Sequence, residues 1–243
     1  DTAALLAPII IDILTHFPWP KSQRWGRGKF RWVRPLHRIN ILFDGKPLAG
    51  ALDLGGGDAI TFGATSCGHY FEAPDDIDLT GITSLDDVKA RLRAGYVMLD
   101  QDERHDAIIS AAKKLAASES CHLNEAQLGS YLADIAGLVE WPTPLMGQIE
   151  DRFMVLPPEL LQATIATHQK YITLSDVDGK FSSHFIVLSN RLGDAERDKV
   201  IIAGNQRVLR ARLADAEFFW QQDQAIAPLM TSLNHSSRIR NDT

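Results

Sequence analysis

Cysteine is scarce: Cys67 and Cys121, far apart in the chain, are the only two in 243 residues. That excludes a disulfide scaffold and a thiolate zinc site, and it fits a reducing cytoplasm. Long apolar runs are also missing. The most apolar stretch, residues 5–14, contains Pro8 and Asp12, and it is shorter than the ~20 residues a bilayer-spanning helix needs. The chain opens on Asp1 without a basic segment or a small-residue cleavage site, so no signal peptide is expected. A start without Met is read as a processed chain or an excised piece.

Several catalytic signatures are absent. There is no G-x-x-x-x-G-K-[ST] phosphate loop, no H-E-x-x-H and no G-x-S-x-G elbow. Gly55, Gly56 and Gly57 lack the G-x-G-x-x-G spacing and a following helix, so they read as a flexible turn. Asp176, Asp178 and Gly179 imitate the opening of a calcium loop, but the twelfth position falls on Val187 rather than Glu; a hairpin loop is expected. His105 and Asp106 could suggest a metal phosphohydrolase, yet they lie among helix-opening acids with no second histidine at ligand spacing. The eight histidines are scattered, and no catalytic residue and no metal site is expected.

What is present suits a folded chain. Apolar residues make up 45% and charged residues 23%, enough for one large domain or two modest ones. The net charge is −6, but residues 19–38 hold seven basic side chains and no acid, leaving −13 on the rest. A basic island in an acidic chain can face nucleic acid or an acidic protein surface.

The expected fold class is α+β, with antiparallel strands and hairpins and several packed helices. A helix is expected over 3–17, with Leu6, Ile9, Ile10, Ile13, Leu14 and Phe17 on one stripe. Two strand-like runs fill 30–43, and Asp44 with Gly45 turns into 46–54. Ser84 and Asp87 open a helix through Arg93. A second helix starts near Asp100, with Lys113 and Lys114 toward its end. A third starts at Asn124, buries Leu128, Leu132, Ile135 and Val139, and stops at Trp141 and Pro142. Pro157 and Pro158 open another helix. Strands over 172–174 and 181–188 flank a hairpin loop. A last helix is expected from about Asn205 to Gln222, and periodicity fades after Gln224.

Two segments carry candidate function. In the first, Lys21, Arg24, Arg27, Lys29, Arg31 and Arg34 alternate with Trp25, Phe30 and Trp32. Such a pattern can hold phosphates and stack on bases; equally, it can be a strand whose rings enter the core while the arginines stay wet. The second runs over residues 204–220. Its arginines could grip RNA backbone, or Arg212 could pair with Asp215 and Arg210 with Glu217. Phe218, Phe219 and Trp220 cover more than one helix face, which points to burial against another domain or subunit.

The 204–220 run, Gly-Asn-Gln-Arg-Val-Leu-Arg-Ala-Arg-Leu-Ala-Asp-Ala-Glu-Phe-Phe-Trp, closely resembles a segment of the β subunit of bacterial heterotetrameric glycyl-tRNA synthetase. So do Leu156 to Glu159 (Leu-Pro-Pro-Glu), His168 to Tyr171 (His-Gln-Lys-Tyr), Asp178 with Gly179, His184 with Phe185, and Ser189 with Asn190. Upstream, Pro18 to Ser22, Arg24 to Gly26, Arg34 with Pro35, Gly68 with His69, and Val139 to Pro142 match in the same order. The resemblance covers residues 5–225; 226–243 match poorly and are expected to be a frayed tail. It implies a mixed α+β region over 1–195, then a helix over 196–225 leading to further domains. It also implies a non-catalytic part of an enzyme that joins glycine to tRNA with ATP and Mg. The active site is expected on the α subunit, and the partners are that subunit, tRNA(Gly) and the rest of the β chain, with no membrane. His168, Gln169, Asn205, Arg207, Arg210, Arg212, Asp215, Phe218 and Phe219 are motif residues to which the resemblance assigns no role. A stand-alone RNA-binding module and a small-molecule hydrolase are the competing readings.

Overall fold

The computed structural model describes residues 2–238, with side chains through 224 apart from 126, 127 and 130. The chain forms two compact units, 1–100 and 101–243.

The first unit opens with α1 (Thr2–Thr15). Its buried side chain is Ala7, and Leu6, Ile10, Ile11 and Leu14 pack with it against Leu48, Leu52 and Phe62. The buried stripe is therefore rotated from the expected one: Ile9, Ile13 and the nearby Phe17 are exposed. Ala7 sits against the strand region, its Cβ 3.4 Å from where a Cβ on Gly50 would stand, so that side of the helix has room only for a small residue. Short strands follow: β1 (Ile39–Asn40), β2 (Leu42–Phe43), β3 (Lys46–Pro47), β4 (Ala51–Gly55), β5 (Asp58–Gly63), β6 (Thr65–Cys67) and β7 (Asp76–Asp78). The runs expected over 30–43 and 46–54 are broken into these pieces, with Pro35 and Gly50 lying outside the strands. Asp44 and Gly45 do form the β2–β3 turn, both at positive φ (51° and 70°), the geometry a two-residue hairpin needs. β4 and β5 are antiparallel, while β1 runs parallel to β5. α2 (Leu85–Ala94) is capped as its sequence dictates: the Asp87 N–H donates to Ser84 Oγ at 3.1 Å, and that hydroxyl donates to the Asp87 carboxylate at 2.7 Å.

The second unit contains α3 (Gln101–Ser118), β8 (His122–Leu123), α4 (Glu125–Ala136), β9 (Thr143–Gln148), a 3-10 turn (Asp151–Val155) and α5 (Pro158–Gln162). A π-helical turn (Ala163–His168), β10 (Ile172–Ser175), β11 (Phe181–Ser189) and α6 (Ala195–Arg238) complete it. The four-stranded sheet has the order β8-β10-β11-β9, all antiparallel. Its two faces belong to different clusters. Ile172, Leu174 and Ile186 pack with Ile108, Ala112, Leu128, Leu132 and Ile135 of α3 and α4. Phe185 and Val187 pack with Leu161, Ile165, Leu209 and Leu213 of α5, the π-helical turn and α6. This is the alternation a strand buried on both faces requires.

The α+β class with antiparallel pairing holds, and several details differ. β9 occupies 143–148, where only a helix stop was expected; Pro144 is tolerated because β9 is an edge strand. Lys113 and Lys114 lie more than a turn before the end of α3, whose last turn carries no base, and Lys113 pairs with Glu125 at 2.9 Å. α6 starts ten residues earlier than Asn205, because Asp194 accepts from the Arg197 N–H (2.8 Å) and donates its own N–H to the Asp198 carboxylate (3.1 Å). That is a reciprocal cap. Of the tail expected over 226–243, the backbone is helical to Arg238, and the remainder lies outside the described residues.

Candidate functional site

The basic island is a closed loop. Gln23 and Trp32 exchange both backbone hydrogen bonds, at 2.9 and 3.1 Å, so residues 24–31 leave and return at one point. Arg31 fastens the closure by donating to Ser22 Oγ at 3.1 Å and to the Ser22 carbonyl at 2.8 Å. The far side of the loop lies on the β4–β5 hairpin, where Lys29 N–H and Phe30 N–H both donate to the Leu54 carbonyl, at 2.7 and 3.0 Å. Glycine makes this approach possible. A Cβ on Gly28 would stand 2.4 Å from the Leu54 oxygen, and one on Gly56 would stand 2.7 Å from the Arg27 oxygen. The triple glycine is thus a hairpin turn on which the basic loop rests, rather than a free flexible segment.

The rings of the island pack on each other. Trp25 meets Phe30 edge-on at 5.9 Å, Phe30 stacks on Trp32 at 5.9 Å, and Trp32 meets Trp19 at 5.0 Å and Phe17 at 5.4 Å. Trp19, Trp25, Phe30 and Trp32 are half-buried. The cations stay outside. Lys21, Arg24, Arg27 and Lys29 are exposed and form no ion pair among the described residues. Arg34 donates to the Val33 carbonyl at 2.8 Å, and Arg38 is engaged by Asp76 at 2.7 Å and the Ser66 carbonyl at 3.1 Å. The rings thus enter a cluster while the arginines remain wet, as the second reading had it, although the segment is a loop rather than a strand.

The second unit gathers several motif residues into a groove of about 720 Å3. Glu159 and His168 line one side, and Arg212, Asp215, Phe219 and Trp220 of α6 line the other. Phe218 and Phe219, 55% and 63% exposed, meet edge to face at 5.6 Å. The expected intrahelical pairs do not form among the described residues. Arg210 instead donates to Glu150, which also accepts from Arg152 at 3.1 Å. Partial desolvation pushes the Glu150 carboxyl up, but the hydrogen bonds and charges of Arg210 and Arg152 outweigh it, and the group lies below its usual range.

Other motif residues hold the fold. Asn205 Oδ1 accepts from the Tyr171 hydroxyl at 2.7 Å. Asn190 Oδ1 accepts the N–H groups of Glu140 and Trp141 at 2.9 and 3.0 Å. Buried His69 accepts the N–H groups of Phe71 and Glu72, both at 3.2 Å, and shapes the β6–β7 loop. Arg207 is exposed and Gln169 half-buried, and neither lines the groove. Sequence reasoning missed Glu150, because its partner Arg210 lies sixty positions away and nothing local marks it. Asp176 accepts the N–H groups of Asp178 and Lys180 at 2.9 and 2.8 Å, which makes the calcium-like segment a hairpin loop. Among the described residues, no three His, Cys, Asp or Glu side chains converge as a metal site. No described helix is long and apolar enough to cross a membrane. Cys67 and Cys121 are both free thiols.

The family described as glycyl-tRNA synthetase beta subunit matches residues 1–237. The glycine–tRNA ligase beta subunit of Rhodospirillum centenum is 41% identical over 92% of this chain, and that of Paracoccus denitrificans is 42% identical over 91%. The Ruegeria counterpart is 41% identical over 93%. The chain spans about a third of the length of these relatives, 33%, 31% and 32% respectively. With the matched region running through both units, this chain belongs to the glycyl-tRNA synthetase beta subunit family.

Proposed function

We propose that this chain acts as part of the β subunit of a cytoplasmic glycine–tRNA ligase, where it binds tRNA(Gly) and supports assembly without carrying the active site. The observation that carries the reading is the acid-free loop 24–31, which presents Arg24, Arg27 and Lys29 to solvent with no internal counter-charge among the described residues. Uncompensated cations held in one place are the electrostatic footprint of a polyanion partner. ATP, with Mg, is used by the whole enzyme, on the α subunit. Helix α6, which begins at Ala195, leads toward further domains of the β chain, and the exposed Phe218 and Phe219 are surfaces for that assembly.

The test is tRNA(Gly) binding across a salt series. Replacing Arg24, Arg27 and Lys29 with Gln should weaken binding and flatten the log–log salt slope by ~2–3, since each neutralised phosphate contributes just under one unit. An unchanged slope would assign these cations to the α subunit or to another acidic protein surface. Co-purification of this chain with the α subunit tests the assembly role separately.

A further inference from the structure

We infer that loop 24–31 is a preset clamp for the phosphate backbone of double-helical RNA, with its position set by the close approach of Gly28 to Leu54 and of Gly56 to Arg27; this rests on the tRNA reading above and narrows it to one form of RNA. Single-strand binders offer open aromatic faces on which bases stack. Here the rings of Trp25, Phe30 and Trp32 are half-buried and turned onto one another or onto Trp19 and Phe17. What the loop offers outward is charge. A-form duplexes are recognised through phosphates and 2′-hydroxyls by shape, with little reading of base edges, and a loop with three free cations and no platform suits that surface.

The loop is also held before any ligand arrives. Its ends are joined by the Gln23–Trp32 pair, its side is pinned by Arg31 on Ser22, and its tip rests on Leu54 through two N–H donors. Holding the cations in advance reduces the ordering cost of binding. The carboxylates of the supporting hairpin form no ion pair with these cations among the described residues. Asp53 accepts the Gly55 N–H at 2.7 Å, and Asp58 stands at the other end of the turn. Gly55, Gly56 and Gly57 all have positive φ (+78°, +68° and +91°); a Cβ would stand 3.1 Å from Lys29 N at Gly55 and, more tightly, 2.7 Å from the Arg27 oxygen at Gly56, while at Gly57 nothing lies within 4 Å. Gly56 is thus a positioning residue for Arg27 and Lys29, acting without any charge of its own.

Two short RNA duplexes of unrelated sequence, and each of their single strands, would be titrated against this chain by anisotropy at several salt concentrations. The expected result is equal affinity for both duplexes and weaker binding of every single strand. Gly56→Asn, which tolerates a positive φ, should weaken duplex binding ~tenfold, while Gly57→Asn should match the parent; melting curves would show that both variants fold. A preference for single strands, or for one duplex sequence, overturns the clamp and leaves the tRNA reading standing. Equal losses in the two glycine variants overturn the positioning role. Failure to bind any RNA, tRNA(Gly) included, removes the tRNA reading and the clamp together.

Discussion

Arg210 on α6 grips Glu150, which holds the N-cap position of the 3-10 turn after β9 sixty residues earlier in the chain, and Gln206 one turn before donates to the Gln148 carbonyl at 3.0 Å. These contacts fix the rotation of α6, which sends Leu209 and Leu213 into the core and leaves Phe218 and Phe219 in solvent.

Glu150 gives this arrangement a pH signature. Its carboxyl in the folded chain lies below the ordinary value, so its contribution is fully present above the unfolded-state value, about 4.3. The contribution is lost as pH falls through the folded value. Glu150→Gln should therefore be less stable than the parent at pH 7, and the difference should close as the pH falls below the ordinary carboxylate range. Urea unfolding at a series of pH values measures it; a difference that stays constant down to pH 3 would show that ionisation of Glu150 is not involved.

The two ends of the α6 stripe should respond differently to truncation. Leu213 is 1% exposed and Phe219 63%. Leu213→Ala should cost ~2–5 kcal/mol as a core truncation, whereas Phe219→Ala should stay within ~0.5 kcal/mol as a surface change. Equal losses in urea would mean that Phe219 is covered in solution.

Tyr171 ties the π-helical turn to α6. Its ring stacks on Phe185 at 5.1 Å and its hydroxyl donates to Asn205. Tyr171→Phe keeps the stack and deletes the donor, and it should cost ~0.5–1.5 kcal/mol. Asn205→Ala should cost a similar amount, and the double variant less than the sum of the two, because both remove one bond. Full additivity in a double-mutant cycle would contradict the bond.

Purified alone, the chain should show no glycine-dependent ATP–pyrophosphate exchange. No phosphate-binding loop is present in the sequence, and the described acids and histidines do not converge. Measurable exchange would place an active site in this region and overturn the proposed division of labour.

Much of this protein was legible from local chemistry. The Ser84 cap, the Asp44–Gly45 turn, the buried positions of α4 and the 181–189 strand follow from nearest neighbours and periodicity, and such signals act within a few residues. The basic island was equally plain, because seven cations without an acid need no structure to be counted. Tertiary contacts decided the rest. β9 was hidden because Pro142 and Pro144 read as a stop until an edge position removed the need for a ladder donor at Pro144. The buried face of α1 was decided by packing against Leu48, Leu52 and Phe62, which sequence periodicity does not record. The role of Gly56 exists only because the hairpin tip and residues 27–29, distant in sequence, share one surface. Periodicity records which side of an element is apolar; what that side meets, and which cations are left facing water, is fixed by packing between segments that sequence order does not bring together.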